Sequence, residues 1–290
     1  MSPGDPSDRQ FAPLPDLVLE PIVRTALQED FGRAGDLTTA AVIPPGMAGT
    51  AAAVARARGI VAGTGPALMA LRMVDPRLDC TLLRPDGAAV EPGDTILTVA
   101  GPAASILSAE RVALNFLCHL SGIATETARL VEAARPHRAA ITCTRKTTPG
   151  LRALEKAALR AGGGANHRFG LDDAILIKDN HIALAGGIRT AMERARAAAG
   201  HLVKIEIEVD TLDQLAEALA CGPDVIMLDN MTPKTLRAAV AMTADRAILE
   251  ASGGVRLDTV SAIAASGVDL ISAGWLTHSA PALDIGLDTG

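Results

Sequence analysis

Apolar residues recur at helical spacing from Leu17 to Glu29, with Val18, Ile22 and Ala26 on one row and Leu19, Val23 and Leu27 on the next. Gly32 and Gly35 stop the pattern, which predicts an amphipathic helix followed by a turn. Between Gly49 and Ala100 the rhythm becomes short alternating runs, such as Gly49 to Arg58 and Thr95 to Ala100, broken by Gly63, Pro85-Asp86-Gly87 and Pro92-Gly93-Asp94. Alternation with such breakers predicts a small sheet, with one helix over Pro66 to Val74. From Ser105 to Ala134 the apolar positions run almost all round a long helix, through Val112, Leu114, Leu117 and Leu120. That helix is expected to be buried, to join two halves of the chain and to be interrupted at Ser121-Gly122.

After Pro136, strand and helix alternate. Strands are predicted near Ala139 to Cys143, Ala174 to Ile177, Val203 to Val209, Val225 to Leu228, Ala247 to Ala251 and Leu270 to Ser272. Such alternation demands parallel strands with right-handed crossovers, in a doubly wound sheet or a barrel. Polar groups stand at or just past almost every strand end, as in Thr144-Arg145-Lys146, Lys178-Asp179-Asn180 and Asp229-Asn230. A ring of functional groups on one face is what a barrel provides, and six strands rather than eight predict an incomplete one.

The 290 residues suit two modest domains, and 49% apolar with 21% charged residues is the balance of a globular protein with a sizeable core. A net charge of −6 argues against nucleic acid or an anionic membrane as partner. Cys80, Cys118, Cys143 and Cys221 show no metal-like spacing and are expected to be free thiols. The opening MSPGDPSDRQ is polar and lacks the apolar core of a signal peptide, so a cytoplasmic protein with a frayed start is expected.

The densest functional segment runs from Thr144 to His181. Arg145, Lys146, His167, Arg168 and Lys178 gather there around loop residues in a net-acidic chain, which points to an anion site. Guanidinium groups grip carboxylates bidentately, and lysine adds a point charge. Arg152, Lys156 and Arg160 lie at helical spacing and are expected to form a solvated face with Glu155 as partner. Gly162-Gly163-Gly164-Ala165-Asn166 is expected as a loop that delivers His167 and Arg168. His119, His137 and His201 are expected to be structural.

Glu208 and Asp229 end the strands IEIEV and VIMLD. Neighbouring carboxylates suit Mg²⁺ bound through phosphate and ribose oxygens, or stabilise positive charge developing on a sugar. The competing role, for Asp229 or Asp210, is to cap the next helix. Glu206 shares a face with Glu208 at period two, so spacing does not choose between them. Ser252-Gly253-Gly254 and Ala273-Gly274 follow the last two strands, where glycine turns cup phosphate in barrel enzymes.

In ERVALNFLCHLSGIAT, TRKTTPGLRALEKAALRAGGGANHRFG, ILIKDNHI, EIEVDTLDQL, MLDNM, SGGV and LTHSAPALDIGLD the chain closely resembles the quinolinate phosphoribosyltransferase family. The likeness runs from about Leu17 to the end. It implies an α/β protein with an N-terminal α+β open sandwich domain, here 1–115, and an open, incomplete (seven-stranded) α/β barrel, here 116–279, with the tail 280–290 packing back on the first domain. It implies phosphoribosyl transfer from phosphoribosyl pyrophosphate (PRPP) to quinolinate with decarboxylation, in NAD biosynthesis, with Mg²⁺ and no organic cofactor.

The resemblance also implies a homodimer with Arg111 reaching the partner's barrel, and leaves dimer and hexamer as alternatives for the full assembly. Carried over residue by residue, Thr144, Arg145, Lys146, His167 and Arg168 line a dicarboxylate pocket with that Arg111. Lys178, Glu208 and Asp229 face PRPP, its Mg²⁺ and the reacting ribose carbon, and Glu208 is selected over Glu206. Lys146, Lys178, Glu208 and Asp229 form the catalytic set. Ser252, Gly253, Gly254, Ala273, Gly274 and Trp275 cradle the phosphate. Trp275 stands where many relatives carry a small residue, and Ile141-Thr142-Cys143 stands where an acidic residue is frequent; altered packing is expected at both. Three rivals remain: a molybdenum-transport-associated paralogue of the same fold, a Schiff-base barrel lyase using Lys178, and a non-enzymatic anion-binding protein.

Overall fold

The computed structural model describes residues 13–289, so the frayed start expected over 1–10 lies outside the described residues. The chain divides into two compact units. The first comprises the described residues through Ala128, Thr147–Gly163 and Leu276 onward; the second comprises Arg129–Lys146 and Gly164–Trp275. A single cut after residue 115 does not separate them, because one 32-residue helix, Ala103–Ala134, runs on past it. No helix among the described residues is long and apolar enough to cross a membrane.

In chain order the strands are β1 (Ala48–Ala55), β2 (Gly59–Ile60), β3 (Asp79–Leu82), β4 (Ala89–Val90), β5 (Thr95–Pro102) and β6 (Ala140–Thr142). They continue with β7 (Ile175–Ile177), β8 (Ile205–Val209), β9 (Val225–Asp229), β10 (Ile248–Ser252), β11 (Leu270–Ser272) and β12 (Ile285–Thr289). In the first unit an antiparallel sheet runs β12-β1-β5-β3, so the C-terminal strand pairs directly with β1. The helix Asp16–Phe31 buries Leu19, Val23 and Leu27, one of the rows its spacing predicts.

The long helix is not interrupted at Ser121-Gly122. Buried Ser121 Oγ accepts the Ala62 N–H at 2.9 Å and lies 3.1 Å from the Ala62 carbonyl. A side chain at Gly122 would strike the Pro281 backbone. The pair is therefore a packing notch, and the helix absorbs the propensity cost of one glycine, about 1 kcal/mol, through those contacts. The basic face expected on the helix Arg152–Ala161 is solvated only in part: Arg160 is exposed and Arg152 half-buried, but Glu155 and Lys156 are buried. Glu155 pairs with His119 Nε2 at 3.0 Å and accepts the Thr148 N–H at 3.0 Å, pinning the loop before its own helix.

In the second unit all strands are parallel, in the order β6-β11-β10-β9-β8-β7. Successive strands from β7 to β11 are neighbours, and the first strand, β6, pairs with the last, which is the connectivity of a barrel rather than a doubly wound sheet. Among the described residues six strands are regular, and the gap between β6 and β7 receives a single parallel bridge, Thr142 to Ala165. The glycine-rich segment thus stands in the place of a seventh strand.

Cross-strand partners share a face. Leu176 is paired with Glu206, Glu208 with Met227, Met227 with Glu250, Asp229 with Ser252, and Ser252 with Ser272. One face of the curled sheet therefore carries Glu206, Glu208, Asp229, Glu250 and Ser252.

Candidate active site

The strand ends of the second unit gather the charged residues singled out by the sequence. Lys178, directly after β7, places its Nζ 2.8 Å from Glu208 Oε2 on β8. Lys178 is half exposed while Glu208 is largely buried. A paired, hydrated ammonium is unlike the desolvated lysine that a Schiff-base mechanism needs.

Next along the rim, the Asp229 carboxyl is raised by burial first and then by the charges of Glu208 and Asp210, against the opposing pull of Lys178. Neither Asp229 nor Asp210 is the cap of its following helix. Thr211 caps Leu212–Cys221 and Thr232 caps Pro233–Thr243, each accepting a backbone N–H at 3.2 Å. The acids are left at the rim as an oxygen donor set of the kind a hard cation such as Mg²⁺ takes.

Asn230 Nδ2 donates to Asp229 Oδ2 at 2.6 Å, and so orients it. Gly253, with φ of 90°, is what admits Asn230, because any Cβ there would collide with the Asn230 side chain. The phosphate-type turn Ser252-Gly253-Gly254 and the carboxylate at Asp229 are thus built as one unit. Trp275 Nε1 donates to the Val255 carbonyl at 2.9 Å, tying the turn after β11 to the turn after β10. This is the packing role of the unusual tryptophan.

At β6, Thr144 Oγ1 accepts the Lys146 N–H at 3.0 Å. A Cβ on Gly274 would lie 3.0 Å from Lys146 Cδ and 3.3 Å from Thr144 Oγ1, so the glycine lets the lysine stem cross the turn closely. If Lys146 lines the dicarboxylate pocket that the resemblance implies, Lys146→Ala should weaken quinolinate affinity about 10- to 100-fold, the usual worth of one hydrogen bond to a charged group, with an unchanged melting temperature. Titration calorimetry giving wild-type affinity would remove Lys146 from the pocket.

Arg168 is held below the ordinary guanidinium range, by burial first and then by the like charge of Arg145. Arg145 Nε is buried with no hydrogen-bond partner. Arg168 Nη1 donates to the Ala174 carbonyl at 3.0 Å. Two partly buried guanidinium groups with donor capacity left over suit a ligand bearing carboxylates.

Beneath them, His167 Nε2 lies 3.0 Å from Glu206 Oε2 and 3.7 Å from Glu250 Oε2, and its Nδ1 accepts the Arg168 N–H at 2.8 Å. A cavity of about 200 Å³ adjoins this group. Glu250 was not singled out by sequence reading and Glu206 was set aside. The available signal was a carboxylate in the middle of an apolar strand, ILEAS, where burial without a partner is costly. Arg111 belongs to the first unit, where it is exposed on the long helix with Glu110 Oε1 at 3.8 Å.

Burial, then the charge of Glu206, pushes the Glu250 carboxyl up to about 7, with His167 opposing. The folded protein thus keeps this proton where the unfolded chain has released it. Stability from the site is complete below the ordinary carboxylate range and falls as pH rises towards 7. Glu250→Gln cannot ionise, so its stability relative to wild type should climb by up to roughly 3 kcal/mol between pH 5 and pH 8. Denaturant unfolding at the two pH values tests this, and parallel curves would contradict it.

Cationic pairs, adjacent carboxylates and glycine turns on one rim define the class: a parallel-barrel protein built to hold anionic ligands at its strand ends. Residues 36–121 match the model of the quinolinate phosphoribosyl transferase N-terminal domain, and residues 123–288 that of the C-terminal domain. The chain belongs to the quinolinate phosphoribosyltransferase family. It is 46% identical over 272 residues to a probable nicotinate-nucleotide pyrophosphorylase [carboxylating] of Bacillus subtilis (strain 168), covering 94% of this chain and 93% of that one. It is 46% identical over 271 residues to the nicotinate-nucleotide pyrophosphorylase [carboxylating] of Mycobacterium leprae (strain TN), covering 92% and 95%. The solved nicotinate-nucleotide pyrophosphorylase of Francisella tularensis superposes with a TM-score of 0.92 at 37% identity, covering 97% of this chain and 99% of that one.

Proposed function

We propose that this protein transfers the phosphoribosyl group of PRPP to quinolinate and decarboxylates the product, giving nicotinate mononucleotide, pyrophosphate and CO2 in NAD biosynthesis. The observation that carries the reading is the family match across residues 36–288 in a chain whose matched barrel gathers Arg145, Arg168, Lys178, Glu208 and Asp229. The two carboxylates of quinolinate lie against Arg145, Lys146 and Arg168, which fixes the ring with its nitrogen towards the ribose. The nitrogen attacks C1 of PRPP as the bond to pyrophosphate breaks. Glu208 and Asp229 stabilise the positive charge that develops on the sugar, and the Ser252 to Gly254 and Ala273 to Trp275 turns hold its phosphate. The C2 carboxylate then leaves as CO2, the electron pair stays on C2 beside the positive nitrogen, and C2 takes a proton from water.

Mg²⁺, when bound with PRPP, would offset charge on the departing pyrophosphate, and Glu208 and Asp229 are the residues that would hold it. The four cysteines are free, in keeping with a reducing cytoplasm. Incubation with quinolinate, PRPP and Mg²⁺ should yield nicotinate mononucleotide, and none when any organic substrate is left out. Absence of product from the complete mixture would overturn the reading.

The active unit is a homodimer in which Arg111 serves the neighbouring subunit's pocket. Its exposure on the long helix, beside a groove of about 780 Å³ lined by Ile22, Phe116 and Leu151, supports this. Arg111→Ala and Glu208→Ala proteins should each be nearly inactive. Refolded together in equal amounts they should recover about a quarter of wild-type activity, because half the dimers are mixed and each holds one intact site. Mixed dimers without activity would show that Arg111 serves its own chain.

A further inference from the structure

Two acids of the barrel have no part in the chemistry above. Glu206 and Glu250 lie on the same sheet face as Glu208 and Ser252, two residues nearer the start of their strands, or about 7 Å down. Both are buried, at 7% and 1% exposure, and each keeps one carboxylate oxygen without a hydrogen-bond partner. Such groups cost several kcal/mol unless something nearby repays them, and barrel interiors at this depth are ordinarily filled with branched apolar side chains.

His167, Glu206 and Glu250 bring one nitrogen and two carboxylate oxygens within 4.8 Å of one another, which is also the reach of a metal site. The imidazole excludes that use. A metal on Nε2 requires Nδ1 to carry the ring proton and donate it outward, whereas Nδ1 here accepts the Arg168 N–H. The proton therefore sits on Nε2, where it is donated to Glu206.

The segment carrying His167 and Arg168 is also the part of the barrel with the least strand pairing, a single bridge at Ala165. Its position depends on side chains instead: the His167 contact to Glu206, the Arg168 contact to Ala174, and Cys143 Sγ at 3.6 Å from Asn166 Oδ1. Arg168 stands against the like charge of Arg145 and is favoured by the negative charge of Glu206.

We infer that Glu206, seconded by Glu250, is a positioning residue of the dicarboxylate pocket: acting through His167, it holds the Asn166 to Arg168 segment so that Arg168 and Arg145 are presented together. The inference rests on the quinolinate reading of that pocket. It makes the acids beneath the barrel rim, not only the cations that touch the ligand, determinants of selectivity for two carboxylates.

The test measures KM and kcat for quinolinate and for PRPP in wild type, Glu206→Leu and Glu206→Gln. In Glu206→Leu, which has no acceptor for the His167 proton, the quinolinate KM should rise at least tenfold while kcat and the PRPP KM change less than about threefold. Glu206→Gln keeps a carbonyl acceptor and should restore most of the quinolinate KM. Unchanged quinolinate KM in Glu206→Leu overturns the inference, and so does an equal loss for both substrates, which a merely structural role would give.

If Glu206→Leu does not fold, nitrogen-15 spectra of the wild-type imidazole decide: a proton on Nε2 is required, and a proton on Nδ1 or stoichiometric zinc in the purified protein overturns the inference. Wild type that never turns over quinolinate would sink the functional reading itself, a result separate from any pattern among the variants.

Discussion

Offered nicotinate in place of quinolinate, the protein should turn over about two to four orders of magnitude more slowly in kcat/KM. Nicotinate lacks the C2 carboxylate. The pocket proposed from Arg145, Lys146 and Arg168 would then hold an unpaired cation, and breaking a buried pair by removing one partner costs about 3–5 kcal/mol. The buried Arg145 Nε, with no partner in the protein, is the donor most exposed to that loss. The missing group is also the one expelled as CO2, so its absence removes the driving force of the second step as well as contacts in the first. Steady-state kinetics with the two acids at saturating PRPP measure the ratio, and comparable values would dismantle the pocket assignment.

Glu208→Ala should lower kcat about 10²–10³-fold, the usual loss for one preorganised electrostatic group at a reacting centre. The carboxylate is 2.8 Å from Lys178 and raises the carboxyl of Asp229, so its removal acts at three places. Negative charge proposed to stabilise the oxocarbenium-like state is lost, Lys178 loses its counter-ion, and Asp229 titrates nearer the ordinary carboxylate range. The acid limb of the pH–rate profile should therefore move to lower pH in the variant, which loss of packing alone would not cause. A variant with near-normal turnover would remove Glu208 from the reacting centre.

The rim residues were legible in the sequence because each stands where apolar periodicity stops. Arg145, Lys178, Glu208 and Asp229 follow or end strands of Ile, Leu and Val, and parallel topology alone brings such positions to one end. The open barrel was legible for the same reason, and the strand that spacing could not supply is the single bridge at Ala165.

What period and propensity could not reveal is long-range pairing. Ser121-Gly122 reads as a break, yet the Pro281 backbone lies against it from far along the chain. Lys156 reads as a solvated lysine by its helical spacing, yet it is buried. Glu250 passed unnoticed because one polar letter in an apolar strand does not disturb the pattern, although the strand carries it to within 3.7 Å of His167. Gly253 is a turn glycine by sequence, but its sharper constraint is Asn230, from the neighbouring strand end.

The proposed reaction joins phosphoribosyl transfer and loss of the carboxylate at ring position 2 in one site. It is tested most directly with quinolinate labelled separately in its two carboxylates and incubated with PRPP and Mg²⁺. Label at position 2 should appear wholly as CO2, one equivalent for each pyrophosphate released, and label at position 3 should stay in nicotinate mononucleotide. Release of pyrophosphate without CO2, or CO2 without PRPP, would contradict the account.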